Sequence, residues 1–158
     1  MIEIAVRDRA WTDAAPGARG LASRAARAAL TRFASGRGLT VALAGDDAVA
    51  ALNLRFRDKQ GPTNVLAFPA APNIEDHLGD IVLAFGVCAR EAREQGKSLG
   101  AHLQHLVIHG ALHLIGYDHA DQGEARAMET IERELLAGLG VCDPYADRDH
   151  GDDVHARR

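Results

Sequence analysis

The chain has 158 residues and a net charge of −4, with 47% hydrophobic but only 4% aromatic residues. This length fits a single domain whose core is aliphatic, and the two distant cysteines lack a CxxC motif, which argues against a disulfide framework. The sequence shows no signal-peptide pattern and no apolar run of membrane-spanning length, so we expect a cytoplasmic protein without a membrane partner.

The hydrophobic pattern predicts nine elements. In chain order they are a strand at 2–6, a helix at 18–35, a strand at 39–44, a helix from 46 or 47 to about 55, a strand at 64–68, a strand at 78–85, and helices at 86–96, from 98 or 99 to about 115, and at 120–139. The first strand–helix–strand unit predicts a parallel pair. We therefore expect an α+β fold, with a small four-stranded mixed sheet surrounded by about five helices. Residues 1–142 form the predicted domain, and residues 143–158 a charged C-terminal tail.

Charge is distributed unevenly along the chain. Residues 1–59 hold 10 Lys and Arg against 6 Asp and Glu, whereas residues 60–158 hold 8 against 16. The favoured interpretation of the arginines in the first helix region is a solvated helix face. The alternative is a basic face that contacts phosphates. These arginines are Arg19, Arg24, Arg27, Arg32 and Arg37.

Three histidines near the end of the 98–115 helix carry the clearest chemical pattern. His109 and His113 are four residues apart, so they project from one helix face. Gly116 can end the helix in the left-handed conformation and bring His119 back toward the other two. Three imidazoles with one open side are the ligand set of a catalytic zinc, which holds three protein ligands and a water. The spacing predicts one zinc, or a similar divalent ion, per chain on a helix and its following turn.

Two neighbouring histidines could be rival metal ligands, and one glycine bears on the type of enzyme. His105 lies too far along the helix from His113 to share one ion with it, so we expect it to support the ligands or pack behind them. His102 is expected on the surface. The pattern also matches the metzincin peptidase motif except at Gly110, where those enzymes carry the glutamate that acts as general base. Ordinary peptidase chemistry is therefore disfavoured.

Several segments together resemble the YbeY endoribonucleases, which are bacterial rRNA maturation factors. The resemblance covers about residues 40–145, and four motifs occur in the family's order. They are H-L-V-I-H-G-A-L-H-L-I-G-Y-D-H at 105–119, L-N-L-R-F-R at 52–57, P-T-N-V-L-A-F-P at 62–69 and L-G-D-I at 78–81. The chain departs from the family pattern at Asn64, where Asp is usual, and at Ala67, where Ser is usual.

The resemblance implies a function and a set of site residues. His109, His113 and His119 would be the zinc ligands, and Arg57 the catalytic arginine beside the cleft. The implied activity is zinc-dependent cleavage of single-stranded RNA, in maturation of the 16S rRNA 3′ end and in ribosome quality control. The implied partners are rRNA and the small ribosomal subunit, with ribosomal or GTPase assembly proteins as further candidates.

Two questions stay open at this point. The nucleophile is either an activated water or the 2′-hydroxyl of the RNA, and neither Asp80 nor Asp118 is assigned as a base. The alternative functions are a zinc-stabilised ribosome-assembly factor without catalysis, and a metal-dependent hydrolase of another substrate.

Overall fold

The sheet has four strands, and its topology confirms the predicted α+β class. A computed structural model describes residues 1–145 of the chain. The strands are β1 (Ile2–Val6), β2 (Gly38–Ala44), β3 (Val65–Pro69) and β4 (His77–Ala84). They are ordered β1-β2-β4-β3, with β1 and β4 parallel to β2, and β3 antiparallel to β4. The sheet is therefore mixed, and β3 lies at its edge.

Six helices surround the sheet within residues 1–145. They are α1 (Ala10–Ala14), α2 (Ala18–Phe33), α3 (Asp46–Arg57), α4 (Phe85–Glu94), α5 (Leu99–Ile115) and α6 (Gln122–Gly138). The five longer helices are those predicted, with small shifts at their ends. One shift matters for function, because α3 continues to Arg57 instead of ending near Arg55.

The short helix α1 was not predicted, because five residues are too few to show a helical period. A local hydrogen bond at its start and the long-range contacts of Trp11 hold it in place. The Asp8 carboxylate accepts a hydrogen bond from the Ala10 backbone N–H at 2.9 Å. The buried Trp11 donates its indole N–H to the Ala44 carbonyl at 2.8 Å and packs edge-on against Phe85.

The start of α3 differs from the prediction that Asp46 or Asp47 caps this helix. The N-cap residue is Gly45, and Asp46 is already helical. The Asp46 carboxylate instead accepts a hydrogen bond from the Val87 backbone N–H at 3.1 Å. Asp46 therefore satisfies a free N–H in the first turn of α4, where a negative charge is also favoured by the helix dipole.

Helix α5 lies at the centre of the molecule and positions the histidines. It packs against α2, α4 and α6, and against the strands β3 and β4. Gly110 permits a close approach to the sheet, because a β-carbon at this position would lie 2.9 Å from Ile81 Cγ2 on β4. The backbone of α5 is thereby held directly against the sheet beside β3.

The predicted C-terminal tail lies largely outside the described residues, as do His150 and His155. The domain boundary at residue 142 stays a prediction. In the described part, the Asp143 carboxylate accepts from Arg133 Nε at 3.1 Å, and the Tyr145 hydroxyl donates to Glu132. No helix in the described part of the chain combines the length and the hydropathy needed to cross a bilayer.

Candidate metal centre

His109, His113 and His119 converge on one point at the C-terminal end of α5. Each offers one ring nitrogen, and these three atoms all lie within 4.8 Å of one another. The His113 ring centroid is 4.7 Å from that of His109 and 5.0 Å from that of His119. His119 is exposed, whereas the other two are half-buried. This group could hold a metal ion, with one side open to solvent.

The turn after α5 brings His119 back to the helix. Gly116 has φ +125°, in the left-handed region, as its place after the last turn predicted. Its N–H donates to the His113 carbonyl at 3.1 Å, and the Tyr117 N–H donates to the Leu112 carbonyl at 2.9 Å. This pair of bonds is the Schellman motif that commonly ends helices. The chain direction is therefore reversed within a few residues of His113.

A buried carboxylate that the sequence analysis missed supports the histidines from behind. Glu132 of α6 is fully buried, and its Oε2 accepts from His109 Nδ1 at 2.6 Å. Its Oε1 accepts from His105 Nε2 at 2.8 Å and from the Tyr145 hydroxyl. Because His109 uses Nδ1 as a donor here, its Nε2 carries the lone pair and is free for a metal.

The protonation states of Glu132 and His113 suit the binding of a metal cation. Burial raises the pKa of Glu132, but hydrogen bonds from His105 and His109 outweigh burial and hold the pKa at about 2. The carboxylate is therefore ionised at neutral pH. Burial lowers the pKa of His113, and the neighbouring His109 and His119 lower it further. A neutral imidazole is the form that binds metal ions, so the donor set fits a divalent metal.

The histidines open into a cleft of about 580 Å³ that also contains the predicted arginine. Arg57 lines this cleft from the end of α3, where Asp58 in the left-handed conformation (φ 54°) ends the helix. Arg55 is absent from the lining, and its guanidinium carbon lies 5.1 Å from the centroid of the Phe56 ring. The remaining lining residues come from β3 and the residue before it, and from α5 and its turn. They are Asn64, Val65, Ala67, Pro69, Gly110, Gly116, Tyr117 and Asp118.

Comparison with known proteins identifies the family. The family model described as endoribonuclease YbeY matches residues 12–140. The chain belongs to the YbeY family.

Relatives named endoribonuclease YbeY match nearly the whole chain. The one from Maricaulis maris is 46% identical over 157 residues, which is 98% of each protein. The one from Paramagnetospirillum magneticum is 46% identical and covers 88% of this chain and 92% of its own length. A solution structure of a Thermotoga maritima protein has the same fold, with a TM-score of 0.59, 21% identity, and coverage of 100% of this chain and 99% of that one.

The two departures from the YbeY motif both lie on the cleft wall. The Asn64 side chain donates to Glu91 Oε1 at 3.0 Å. An aspartate at this position would place a second carboxylate against Glu91, so the amide avoids a repulsion in this chain. Ala67, on β3, adds no polar group to the wall.

Asp118 and Asp80, the two other carboxylates considered as a possible base, form no hydrogen bond with the rings of His109, His113 and His119. Asp118 lines the cleft, but its carboxylate accepts from the His119 backbone N–H at 2.7 Å and not from the ring. It therefore shapes the turn that presents His119. Asp80 is exposed and lies 3.3 Å from His77 Nε2, outside the cleft lining.

The prediction that His102 lies on the surface is wrong. Only 3% of this residue is exposed, and its Nε2 lies 2.8 Å from Glu91 Oε1. Because Glu91 belongs to α4, the face of α5 that carries His102 is covered by that helix. Burial lowers the pKa of His102 despite the hydrogen bond to Glu91. His105 lies behind the ligand group as expected, bonded to Glu132.

Glu132 was missed because glutamates on amphipathic helices are usually solvated. A signal was present nonetheless. Glu132 lies four residues after Met128 and three before Leu135, so it falls on the buried stripe of α6. An acidic residue on the apolar face of a helix requires a buried partner, and the histidines of α5 supply it.

Proposed function

We propose that this YbeY-family protein is a zinc-dependent endoribonuclease that cleaves single-stranded RNA. The proposed ligands are His109, His113 and His119, with one zinc per chain, and Arg57 is the proposed catalytic residue. The observation that carries the proposal is that this histidine group and Arg57 line one open cleft. RNA presents phosphates, which suit both a divalent cation and a guanidinium.

The residues of the cleft have separate tasks in this proposal. When bound, zinc supplies a Lewis acid for a phosphoryl oxygen and makes water more acidic. Arg57 donates two hydrogen bonds to the non-bridging oxygens and stabilises the charge that develops at phosphorus. Glu132 keeps His109 Nε2 directed at the cleft, because it holds the proton on Nδ1.

The proposed biological role is maturation of the 16S rRNA 3′ end and ribosome quality control in the cytoplasm. The small ribosomal subunit is the proposed partner, and ribosomal or GTPase assembly proteins are further candidates. Membership of a family named for endoribonuclease activity supports this role. The open form of the cleft supports it too, since a flexible single strand of RNA can enter the cleft and reach the histidines.

Peptidase chemistry is disfavoured by the packing at Gly110. The position where metzincins carry their general base faces Ile81, which would lie 2.9 Å from a β-carbon there. A glutamate here would have to displace the Ile81 side chain, so the close contact between α5 and the sheet disfavours that base.

The test compares two arginines on the same helix. Purified wild type, Arg57→Ala and Arg55→Ala are assayed on a single-stranded RNA and on its duplex, with zinc removed and restored. We expect Arg57→Ala to keep fold and zinc but to lose about 10²–10³-fold in cleavage rate, as when an oxyanion donor is lost. Arg57→Lys should recover part of the rate, since an ammonium cannot reproduce the two-pronged contact. Arg55→Ala should stay close to wild type.

Two outcomes would contradict the proposal. Cleavage by Arg57→Ala at the wild-type rate would remove Arg57 from catalysis. If the wild type itself shows no zinc-dependent cleavage, the protein is better described as a zinc-stabilised assembly factor.

A further inference from the structure

A second large cavity lies beyond the metal cleft, toward the start of α5. This distal cavity, of about 550 Å³, is lined by residues that include Leu21, Arg24, Ala101, Gln104 and Val141. Ala101 precedes His109 by eight residues, or roughly 12 Å at 1.5 Å per helical residue. The distal cavity therefore lies within reach of a short oligonucleotide bound at the histidines.

An intermediate hollow of about 350 Å³ joins the two sites. It shares Asn64 and His109 with the metal cleft, and Lys97, His105 and Pro144 with the distal cavity. The three hollows therefore adjoin one another and form a groove along α5.

The polar wall of the distal cavity suits an anion. The first turn of the 17-residue helix α5 forms part of it, with Ser98 as N-cap accepting from the Ala101 N–H at 3.0 Å. Helix starts attract phosphate through their free N–H groups and their dipole. Arg24 of α2 lies on the same wall, is exposed, and forms no ion pair within residues 1–145. The Asp143 carboxylate on this wall is already engaged by Arg133 Nε at 3.1 Å.

Gln104 gives an independent indication of a ligand. Only 6% of this residue is exposed, and its side-chain amide makes no hydrogen bond to another described residue. It reaches the wall of the distal cavity. The amide is not sealed off from the cavity, so a ligand there with both a donor and an acceptor would pair with it. The edge of a nucleobase offers both.

We propose that the distal cavity binds a second nucleotide of the RNA strand whose scissile phosphate lies at the histidines. A phosphate of that nucleotide binds at Arg24 and the start of α5, and its base packs on Leu21 and Val141 with Gln104 at its edge. The cavity volume is in the range of small-ligand sites. This inference rests on the proposed function, because it extends the path of the same substrate.

The experiment measures binding of an uncleavable strand. Fluorescence anisotropy of a labelled, fully 2′-O-methylated single-stranded RNA is recorded with the zinc-loaded protein over a range of salt concentrations. Arg24→Ala should raise Kd about tenfold. It should also reduce the slope of log K against log salt by about one, as expected when one phosphate contact is lost. The matched control is Arg27→Ala, one turn further on α2 and lining a different hollow. It should change neither quantity. Gln104→Leu should raise Kd about fivefold through a lost hydrogen bond.

Three results would overturn the inference, and they differ in what they leave standing. Wild-type binding by both Arg24→Ala and Gln104→Leu removes the distal site but leaves zinc-dependent cleavage intact. Competition by uridine monophosphate as tight as that of the oligonucleotide indicates an isolated nucleotide site, and so contradicts a shared strand. Failure of the wild type to bind RNA overturns the proposed function as well. If Gln104→Leu lowers Tm, the exposed Arg24→Ala variant decides.

Discussion

Glu132 determines which nitrogen of His109 faces the cleft. A neutral imidazole carries one N–H, and the Glu132 carboxylate accepts a hydrogen bond from His109 Nδ1–H at 2.6 Å. Nε2 therefore carries the lone pair that could bind a metal ion. The same carboxylate is held by His105 and Tyr145, which fix its own orientation. One buried group on α6 therefore orients His109, a member of the histidine group that lies on α5 and its turn.

Replacing this carboxylate by an amide should weaken metal binding. In Glu132→Gln a single acceptor oxygen faces three donors, and the amide NH2 opposes one of them, so the His109 ring loses its anchor. We expect zinc affinity to fall about 10–100-fold, as for other residues that orient metal ligands. A competition titration with a chromophoric chelator measures this. The control is Glu134→Gln, which lies on the same helix in an exposed pair with Arg32. Equal affinity in the two variants would show that Glu132 has no role in orientation.

The turn after α5 is the element on which the ligand geometry depends. Its conformation requires a positive φ at Gly116, although no atom of the described residues, the chain neighbours apart, lies within 4 Å of a β-carbon built there. Any cost of a side chain at this position is therefore a backbone cost and not a clash.

Because the expected cost lies in the backbone alone, Gly116→Ala is an informative variant. It should destabilise the metal-free protein by about 1 kcal/mol and also lower zinc affinity, because His119 moves with the turn. Gly138→Ala is the matched change, since that glycine also has open space around it but no positive φ. Urea unfolding compares the two variants. Equal stability of both would contradict the requirement for a left-handed residue at 116.

The local elements were predictable from sequence, and the contacts between distant elements were not. The H-x3-H pattern, the glycine turn and His119 are a local arrangement, so their spacing predicted the cluster that the structure contains. The burial of His102 depends on α4 covering it, and the role of Glu132 depends on α6 packing against α5. Helix α1 likewise owes its place to Trp11 contacts with Ala44 and Phe85. Such contacts have no period in the sequence.

At the scale of the molecule, the candidate site links three parts of the chain. The three histidines lie on α5 and its turn, and Glu132 ties His109 to α6 and to the segment that carries Tyr145. A metal ion that binds only this arrangement must stabilise the whole fold by mass action.

Thermal unfolding should therefore depend on zinc concentration. At a free zinc concentration about 1,000 times Kd, we expect about 4 kcal/mol of added stability and a corresponding rise in Tm. His113→Ala should lose this response, since two histidines remain. Cys88→Ala and Cys142→Ala should retain it, because neither cysteine belongs to the histidine group. Scanning calorimetry at several zinc concentrations measures the effect, and an unchanged response in His113→Ala would refute the assignment.

The position of Trp11 has a spectroscopic consequence. It is the only tryptophan of the chain, fully buried against Ala44 and Phe85 and absent from the lining of the metal cleft. Its emission therefore reports the integrity of the core and not the occupancy of the histidines. Tyr117, which lines the cleft, and a chelator dye can report the site separately. Loss of the metal ion and unfolding of the core can thus be followed as two optical signals in one sample.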